Sequence, residues 1–598
     1  MDVSVSIPAF TTRPELCGDF GMVASTHWLG SAVGMSVLER GGNAADAAVA
    51  TGFVLQVVEP HLNGPGGEVP ILLWDPADEA VRVIAGQGVT PIAATISRYR
   101  DEGLSLVPGT GLLAATVPAA FSAWLELLAR WGTWRLADVL APAISYAEQG
   151  FPALPAIVNT IRAVADTMTA DWPTSAATWL PDGRPPAVGQ RLTNPALAAT
   201  WRRLLAEIER PGRSREQEIE AAHQVFYRGF IADAIDDHVQ RPVRDASGAK
   251  HAGVLTGQDL ADWRCPIETP TSVDYHGYTV YKTGPWGQGP VLLQQLALLA
   301  DVDLTEAGLL SADYIHQITE AAKLAFADRE AWYGDEAGTP LDDLLSPAYN
   351  KARRTLIGPT ASLELRPGSP GGRTPKLPIF PTESSTPTDD GAGEPTVASS
   401  GETRGDTCHL DVVDRWGLHI SATPSGGWLQ SSPTIAGLGF GLGTRTQMTW
   451  LQEGFPASLR PGVRPRTTLS PSFACRDGRP YLAFGTPGGD QQDQWSLQFF
   501  LAHVHFGLGL QQAIDAPMFH STHFPSSFWP RTATPGGLVV ESRLPRETLA
   551  ELERRGHRLT VSGDWTLGRL SAVGTEPATG FLRAGANARG GAGYAVGR

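Results

Sequence analysis

The chain has 598 residues, a formal charge of -15 and a pI near 5.4, with no basic block to neutralise phosphates, which argues against nucleic acid and does not suggest an anionic membrane surface as a partner. At 63.6 kDa, with 42% hydrophobic residues, it exceeds one ordinary core, and two domains or one large processed unit are expected. Four scattered cysteines, Cys17, Cys265, Cys408 and Cys475, lack Cys-x-x-Cys spacing, which argues against a structural zinc site or disulfide framework and fits reduced thiols in a cytoplasm.

The N-terminus lacks a basic region followed by an apolar one, and no window approaches about 18 uninterrupted apolar residues, so neither an export signal nor a membrane span is expected. Residues from about Gly30 to Val58 predict two helices, the first ending at Gly41-Gly42 and the second, Ala-rich and closely packed, capped by Asn43. A loop through His61-Leu62-Asn63-Gly64-Pro65-Gly66-Gly67 leads to a buried strand from Val69 to Trp74. The region near 110 to 350 is mostly helical by pattern, clearest from Asp313 to Tyr333, where Ile315, Ile318, Ala322, Phe326 and Trp332 are spaced for one face.

Between Arg366 and Arg404 the composition turns to Pro, Ser, Thr, Gly and acidic residues with almost no aliphatics, which predicts a mobile linker that cannot offset its ordering entropy. The expected division is therefore a large α-rich part over 1–365, a linker over 366–406 and a small part over 407–598. From Thr407 onward, alternating runs such as His409 to Val413, Leu418 to Ala422 and Tyr481 to Phe484 predict strands.

Gly405-Asp406-Thr407-Cys408-His409-Leu410 places a threonine at the start of an apolar strand directly after the linker. Cleavage between Asp406 and Thr407 would give Thr407 both a hydroxyl nucleophile and an α-amino base, which titrates near about 8. Gly485-Thr486-Pro487-Gly488-Gly489-Asp490 offers adjacent glycines whose N–H groups suit an oxyanion site. Gly437-x-Gly439-x-Gly441-x-Gly443 lacks dinucleotide-motif spacing and is read as a glycine-rich active-site loop. Neither a P-loop nor a His-Glu-x-x-His motif occurs, so no nucleotide, metal or other cofactor is required.

With these residues the chain resembles the γ-glutamyltransferase (γ-glutamyltranspeptidase) family of the N-terminal-nucleophile hydrolase superfamily. Thr407, His409, Val412, Val413 and Asp414 keep the family's nucleophile motif, and Gly488 and Gly489 match its oxyanion glycines. Gly21-Met22-Val23-Ala24-Ser25, Gly41-Gly42-Asn43-Ala44-Ala45-Asp46, Val58-Glu59-Pro60-His61 and Ala322-Lys323-Leu324-Ala325-Phe326-Ala327-Asp328-Arg329 continue the match in order. The resemblance implies an α+β fold, the four-layer αββα sandwich. It also implies self-cleavage into two fragments that form a heterodimer, and an acyl-enzyme resolved by water or an acceptor amine. Thr423 matches the family's second threonine, which orients the nucleophile's amine; the alternative is an ordinary strand threonine. Cys408 is read as a small buried filler, and His409 is given no catalytic role.

Glutamyl recognition departs from the family. Gln87 stands where its carboxylate-binding arginine falls, while Ser425-Gly426-Gly427 and Arg445-Thr446-Gln447-Met448-Thr449 place Gly427 and Thr449 at its asparagine and acidic positions. Thr467 and Thr468 keep the hydroxyls of two carboxylate-holding serines. The lost charge-assisted contacts are worth about 1.5–3 kcal/mol each, so a free γ-glutamyl group should bind poorly. Gln87, Ser425, Arg445 and Asp490 are the candidate replacements, with Trp428 and Trp495 covering a flat ligand; alternatively, the run from Asp490 to Trp495 caps a helix and packs its tryptophan.

The expected function is a self-processing threonine hydrolase or acyltransferase acting on a small-molecule acyl donor. One alternative is C–C bond hydrolysis of a dicarbonyl-bearing intermediate, as resembles cytosolic actinobacterial homologues in alkylproline secondary metabolism and antibiotic biosynthesis. The other is a non-catalytic binding relative, against which the intact Thr407, Thr423, Gly488 and Gly489 argue.

Overall fold

A computed structural model describes residues 10–382 and 407–598. Two antiparallel seven-stranded sheets lie at its centre. One runs Tyr594–Gly597, Gly21–Ser25, Leu410–Asp414, His419–Ala422, Val69–Asp75, Ala80–Gly86 and Ile267–Glu268 in spatial order. The other runs Leu16–Gly18, Leu582–Ala586, Ser571–Thr575, Arg479–Gly485, Ser472–Arg476, Tyr278–Lys282 and Thr271–Tyr275. Each takes strands from both sides of Thr407, so a cut there leaves two pieces hydrogen-bonded into the same sheets.

The layers follow from which faces are apolar. Met22, Ala24, Leu72, Val83, Phe473, Ala483, Val573 and Ala584 form a buried cluster from strands of both sheets, so those faces close on each other. A second cluster joins the first sheet to the helices Ala44–Val58, Ala120–Trp131 and Leu136–Gln149. A third joins the other sheet to Pro290–Leu299, Ala312–Trp332 and Gln492–Phe506. Three apolar interfaces among four layers are the expected αββα sandwich.

Local signals are borne out where side chains satisfy backbone. Asn43 caps Ala44–Val58 in a capping box with Asp46, and the Asp46 carboxylate also accepts from the Thr133 and Trp134 amides. Ala44–Val58 is buried along its whole length.

Three expectations need correction. The helix Ala312–Trp332 does not bury one face; it is enclosed on nearly every side, and Glu320, Lys323, Asp328, Arg329 and Glu330 are inside with partners. The hairpin Thr271–Tyr275 and Tyr278–Lys282 sits within the predominantly helical region as an edge of the second sheet. The linker does not begin at Arg366. Residues up to Thr382 are anchored by the Gly368 amide donating to Asp328 at 2.6 Å, by Gln452 bonding both amide and carbonyl of Ile379, and by the Ala533 amide donating to the Pro381 carbonyl at 3.0 Å. Backbone bonds to fixed partners supply what composition did not. The remainder, 383–406 with Asp406, lies outside the described residues. No helix among the described residues is long and apolar enough to cross a membrane.

The close packing around Ala44–Val58 can be tested at Gly52, where an added Cβ would overlap the buried Trp124 indole. Helix propensity favours alanine by about 1 kcal/mol, but overpacking costs about 1–3 kcal/mol. Gly52→Ala should therefore lower the melting temperature in calorimetry, and an unchanged or higher value would mean that the indole repacks freely.

Candidate active site

Thr407 precedes the strand Leu410–Asp414, whose partner is His419–Ala422 in the register Leu410 to Ala422 and Val413 to His419. Continued toward the start of the strand, that register sets His409 opposite Thr423 and Thr407 opposite Ser425, and Thr407 and Ser425 form an antiparallel bridge. Side chains alternate along strands, so Thr407, His409 and Asp411 share one face with Ser425 and Thr423.

Thr407 Oγ1 lies 3.2 Å from Ser425 Oγ. Thr423 Oγ1 instead bonds His409 Nδ1 at 2.9 Å, His409 Nε2 bonds Asp411 Oδ1 at 2.9 Å, and Ser571 donates to Asp411 Oδ2 at 2.7 Å. Ser425, not Thr423, therefore sets its hydroxyl beside the Thr407 hydroxyl, because the strand register decides which side chain faces Thr407. Counting the hairpin's register through Gly417 would have revealed this. All of these side chains are almost fully buried.

The His409 ring joins the two sheets at this point. It packs against Gly485, where a Cβ would overlap the imidazole, and the strand Arg479–Gly485 leads directly into the turn with Gly488 and Gly489. Gly488 has φ 138° and Gly489 φ 52°, backbone that side chains rarely adopt, and Gly488 lies against the Trp495 ring. The turn is held by Gln288, which donates to the Gly489 carbonyl at 3.1 Å. Asp490 follows, and its carboxylate takes Arg329 and both the amide and hydroxyl of Ser527. With its oxygens so occupied, Asp490 fixes the turn from behind; its expected contact with substrate is not supported. Trp495 is fully buried on the helix Gln492–Phe506, so the packing alternative holds for this run.

The other proposed recognition residues divide by whether their polar atoms are spent. The Thr449 hydroxyl donates to the Thr446 carbonyl at 2.8 Å, and Thr467 Oγ1 accepts from the Leu469 amide at 3.3 Å. Thr468 Oγ1 and Gln87 Oε1 are buried without a hydrogen-bond partner, although Gln87 Nε2 donates to the Gly88 carbonyl. Arg445 is largely engaged within the protein, with Nη1 buried and lacking a hydrogen-bond partner among the described residues. Its Nε pairs with Glu68 and its Nη2 donates to Ser425 Oγ at 2.6 Å, while the guanidinium lies over the Trp428 and Phe528 rings at 4.9 and 5.8 Å from their centroids. Trp428 thus stacks on Arg445.

Glu68 was missed in the sequence, though a lone carboxylate opening an apolar strand was a visible anomaly. Its backbone pairs with that of Ser425 through two bonds of 2.8 and 2.9 Å, so Glu68, Ser425 and Thr407 are neighbours across three chain segments. Gly426 and Gly427, with φ 75° and 67°, make room: a Cβ on Gly426 would sit on the Glu68 carboxylate. Burial raises the Glu68 pKa, opposed by Arg445.

Beside Thr407, the Cys408 thiol points into the interior, with Sγ bonded to Glu59 at 3.0 Å and Thr26 donating to the same carboxylate oxygen at 2.6 Å. Burial raises the Glu59 pKa, and burial with the nearby Arg569 lowers that of His61 to about 3. Glu59, His61, Thr26, Trp565, Arg569 and Asn587 line a cavity of about 260 Å³. Among the described residues His316, Glu320 and His557 bring ligand atoms within 4.8 Å of one another. There Glu320 is already paired with Lys323 and Arg366, and the two imidazoles bond each other at 2.9 Å.

The sequence matches the γ-glutamyltranspeptidase family over residues 30–597. A glutathione hydrolase-like YwrD proenzyme of Bacillus subtilis is 32% identical over 585 residues, 96% of this chain and 98% of the relative. Among solved structures, LmbA2991HD aligns at a TM-score of 0.93 with 57% identity, covering 98% of this chain and 100% of the other. A cephalosporin acylase from Bacillus halodurans aligns at 0.81 with 29% identity, covering 100% and 99%. Two intermixed sheets, the Thr407 strand and these matches converge: the chain belongs to the γ-glutamyltranspeptidase family and is a self-processing N-terminal-nucleophile hydrolase whose two chains form a heterodimer.

Proposed function

We propose that the chain cuts itself between Asp406 and Thr407, giving fragments 1–406 and 407–598, and that Thr407 then cleaves an amide whose acyl group is not γ-glutamyl. The reading rests on one observation: a threonine hydroxyl fixed at a strand end, 3.2 Å from Ser425 Oγ and next to the strand that carries the Gly488-Gly489 turn. In the precursor Thr407 Oγ1 attacks the Asp406 carbonyl, the Asp406–Thr407 C–N bond breaks to release the α-amino group as an ester forms, and water then hydrolyses that ester to separate the fragments and restore the hydroxyl. That amine takes the hydroxyl proton in turnover, the Gly488 and Gly489 amides stabilise the oxyanion, and water or an amine resolves the acyl-enzyme.

The acyl specificity follows from which charges are already paired. Near Thr407 and the glycine turn Asp490 is paired with Arg329 and Glu68 Oε1 with Arg445, Glu68 Oε2 being buried without a hydrogen-bond partner among the described residues, and Thr449 offers no charge to an ammonium group. A γ-glutamyl donor would find no carboxylate at Thr449 to receive its α-ammonium, and an ammonium buried without a partner is costly. The named hydrolase and acylase relatives favour amide hydrolysis over C–C cleavage or a non-catalytic role. A cytoplasmic location suits four cysteines that are all free thiols.

Denaturing intact mass with N-terminal sequencing tests the nucleophile: wild type should give two fragments, the second starting at Thr407, and Thr407→Ala a single uncut chain. A variant still cut before residue 407 would overturn the reading. For specificity, glutaryl-p-nitroanilide, which lacks the α-ammonium, should exceed γ-glutamyl-p-nitroanilide in kcat/KM by about tenfold or more, the worth of one charge-assisted hydrogen bond. Equal or reversed preference would mean that an ammonium partner exists.

A further inference from the structure

We infer that Arg445 is a positioning residue for the nucleophile, acting on Thr407 through Ser425; this rests on the reading of Thr407 as nucleophile. A guanidinium donates hydrogen bonds and accepts none, so the 2.6 Å contact from Nη2 occupies a lone pair of Ser425 Oγ. A hydroxyl polarised in this way is a better donor of its own proton, and Thr407 Oγ1 lies 3.2 Å away. As Thr407 Oγ1 attacks the Asp406 carbonyl its proton passes on to the Thr407 nitrogen that leaves as the C–N bond breaks; negative character developing on the oxygen strengthens the Ser425 hydrogen bond. Arg445 thereby sends a fixed positive charge to the nucleophile without touching it.

The guanidinium is held for this task from three sides. Glu68 binds Nε, Ser425 receives Nη2, and the Trp428 and Phe528 rings face its plane. Arg445 is fully buried and Glu68 nearly so, and the Glu68 backbone is itself bonded to that of Ser425. The carboxylate and hydroxyl that Arg445 bridges are therefore in fixed register before the side chains meet. A merely structural ion pair would not need its second arm on a hydroxyl that faces Thr407.

The test is a double-mutant cycle on self-cleavage, a reaction of Thr407 that needs no knowledge of the external substrate. Full-length chains made by cell-free synthesis are followed by time-resolved denaturing intact mass, with circular dichroism to verify folding. Ser425→Ala and Arg445→Met should each slow cleavage by about tenfold or more. The double variant should be no slower than Ser425→Ala alone, because the two act in series, and Arg445→Lys, which keeps a donor to Ser425, should be faster than Arg445→Met.

A folded Arg445→Met that cuts at the wild-type rate would overturn the inference. So would a double variant that loses the product of the two single effects. If Arg445→Met does not fold, the cycle is run in a Glu68→Gln background, which removes the unpaired buried carboxylate. Failure of the nucleophile reading is separable, since it shows as cleavage of Thr407→Ala.

Discussion

Antiparallel pairing between Leu410–Asp414 and His419–Ala422 sets every contact at the proposed nucleophile. Because side chains alternate, the same register puts Ser425 against Thr407 and Thr423 against His409, and a slip of one residue would turn both sets away. The register is not free to slip. Gly21–Ser25 pairs with one side of this hairpin and Val69–Asp75 with the other, so the hairpin is the middle of a sheet. Cleavage before Thr407 would free an end while leaving the strand behind it clamped.

Around that hairpin, buried charges are used to hold backbone. Asp490 and Arg329 fix the glycine turn, and Glu68 and Arg445 brace Ser425, while Lys282 bonds Asp493 at 2.9 Å on the helix that follows the turn. Removing one partner of such a pair costs about 3–5 kcal/mol, since the other stays buried and uncompensated. These pairs therefore fix geometry more than they add stability.

Behind the hairpin, His409 couples the two sheets. One nitrogen meets Thr423 and the other Asp411, whose remaining oxygen accepts from Ser571 on the second sheet. The absence of a side chain at Gly485 is what lets the ring enter. His409, given no catalytic role from the sequence, thus spans the interface between the sheets that carry Thr407 and the glycine turn.

Much of the architecture was legible because it is local. Asn43 and Asp46 mark a helix start by capping chemistry, the strands after Thr407 by alternation, and Gly488-Gly489 by backbone that only glycine readily adopts. The order of family motifs carried the fold with it. Composition misjudged 366–382, where bonds to Asp328, Gln452 and Ala533 tie down a sequence that has little tendency to order alone. It also left open whether Arg445 and Asp490 face a ligand or the protein. The sequence by itself determined which groups are present near the start of the strand at Thr407, since adjacency along the chain places them. Only the folded structure decided that Ser425, not Thr423, meets Thr407, because strand register sets residues 18 positions apart against each other, and that Glu68 claims Arg445, because ion pairing joins residues 377 positions apart.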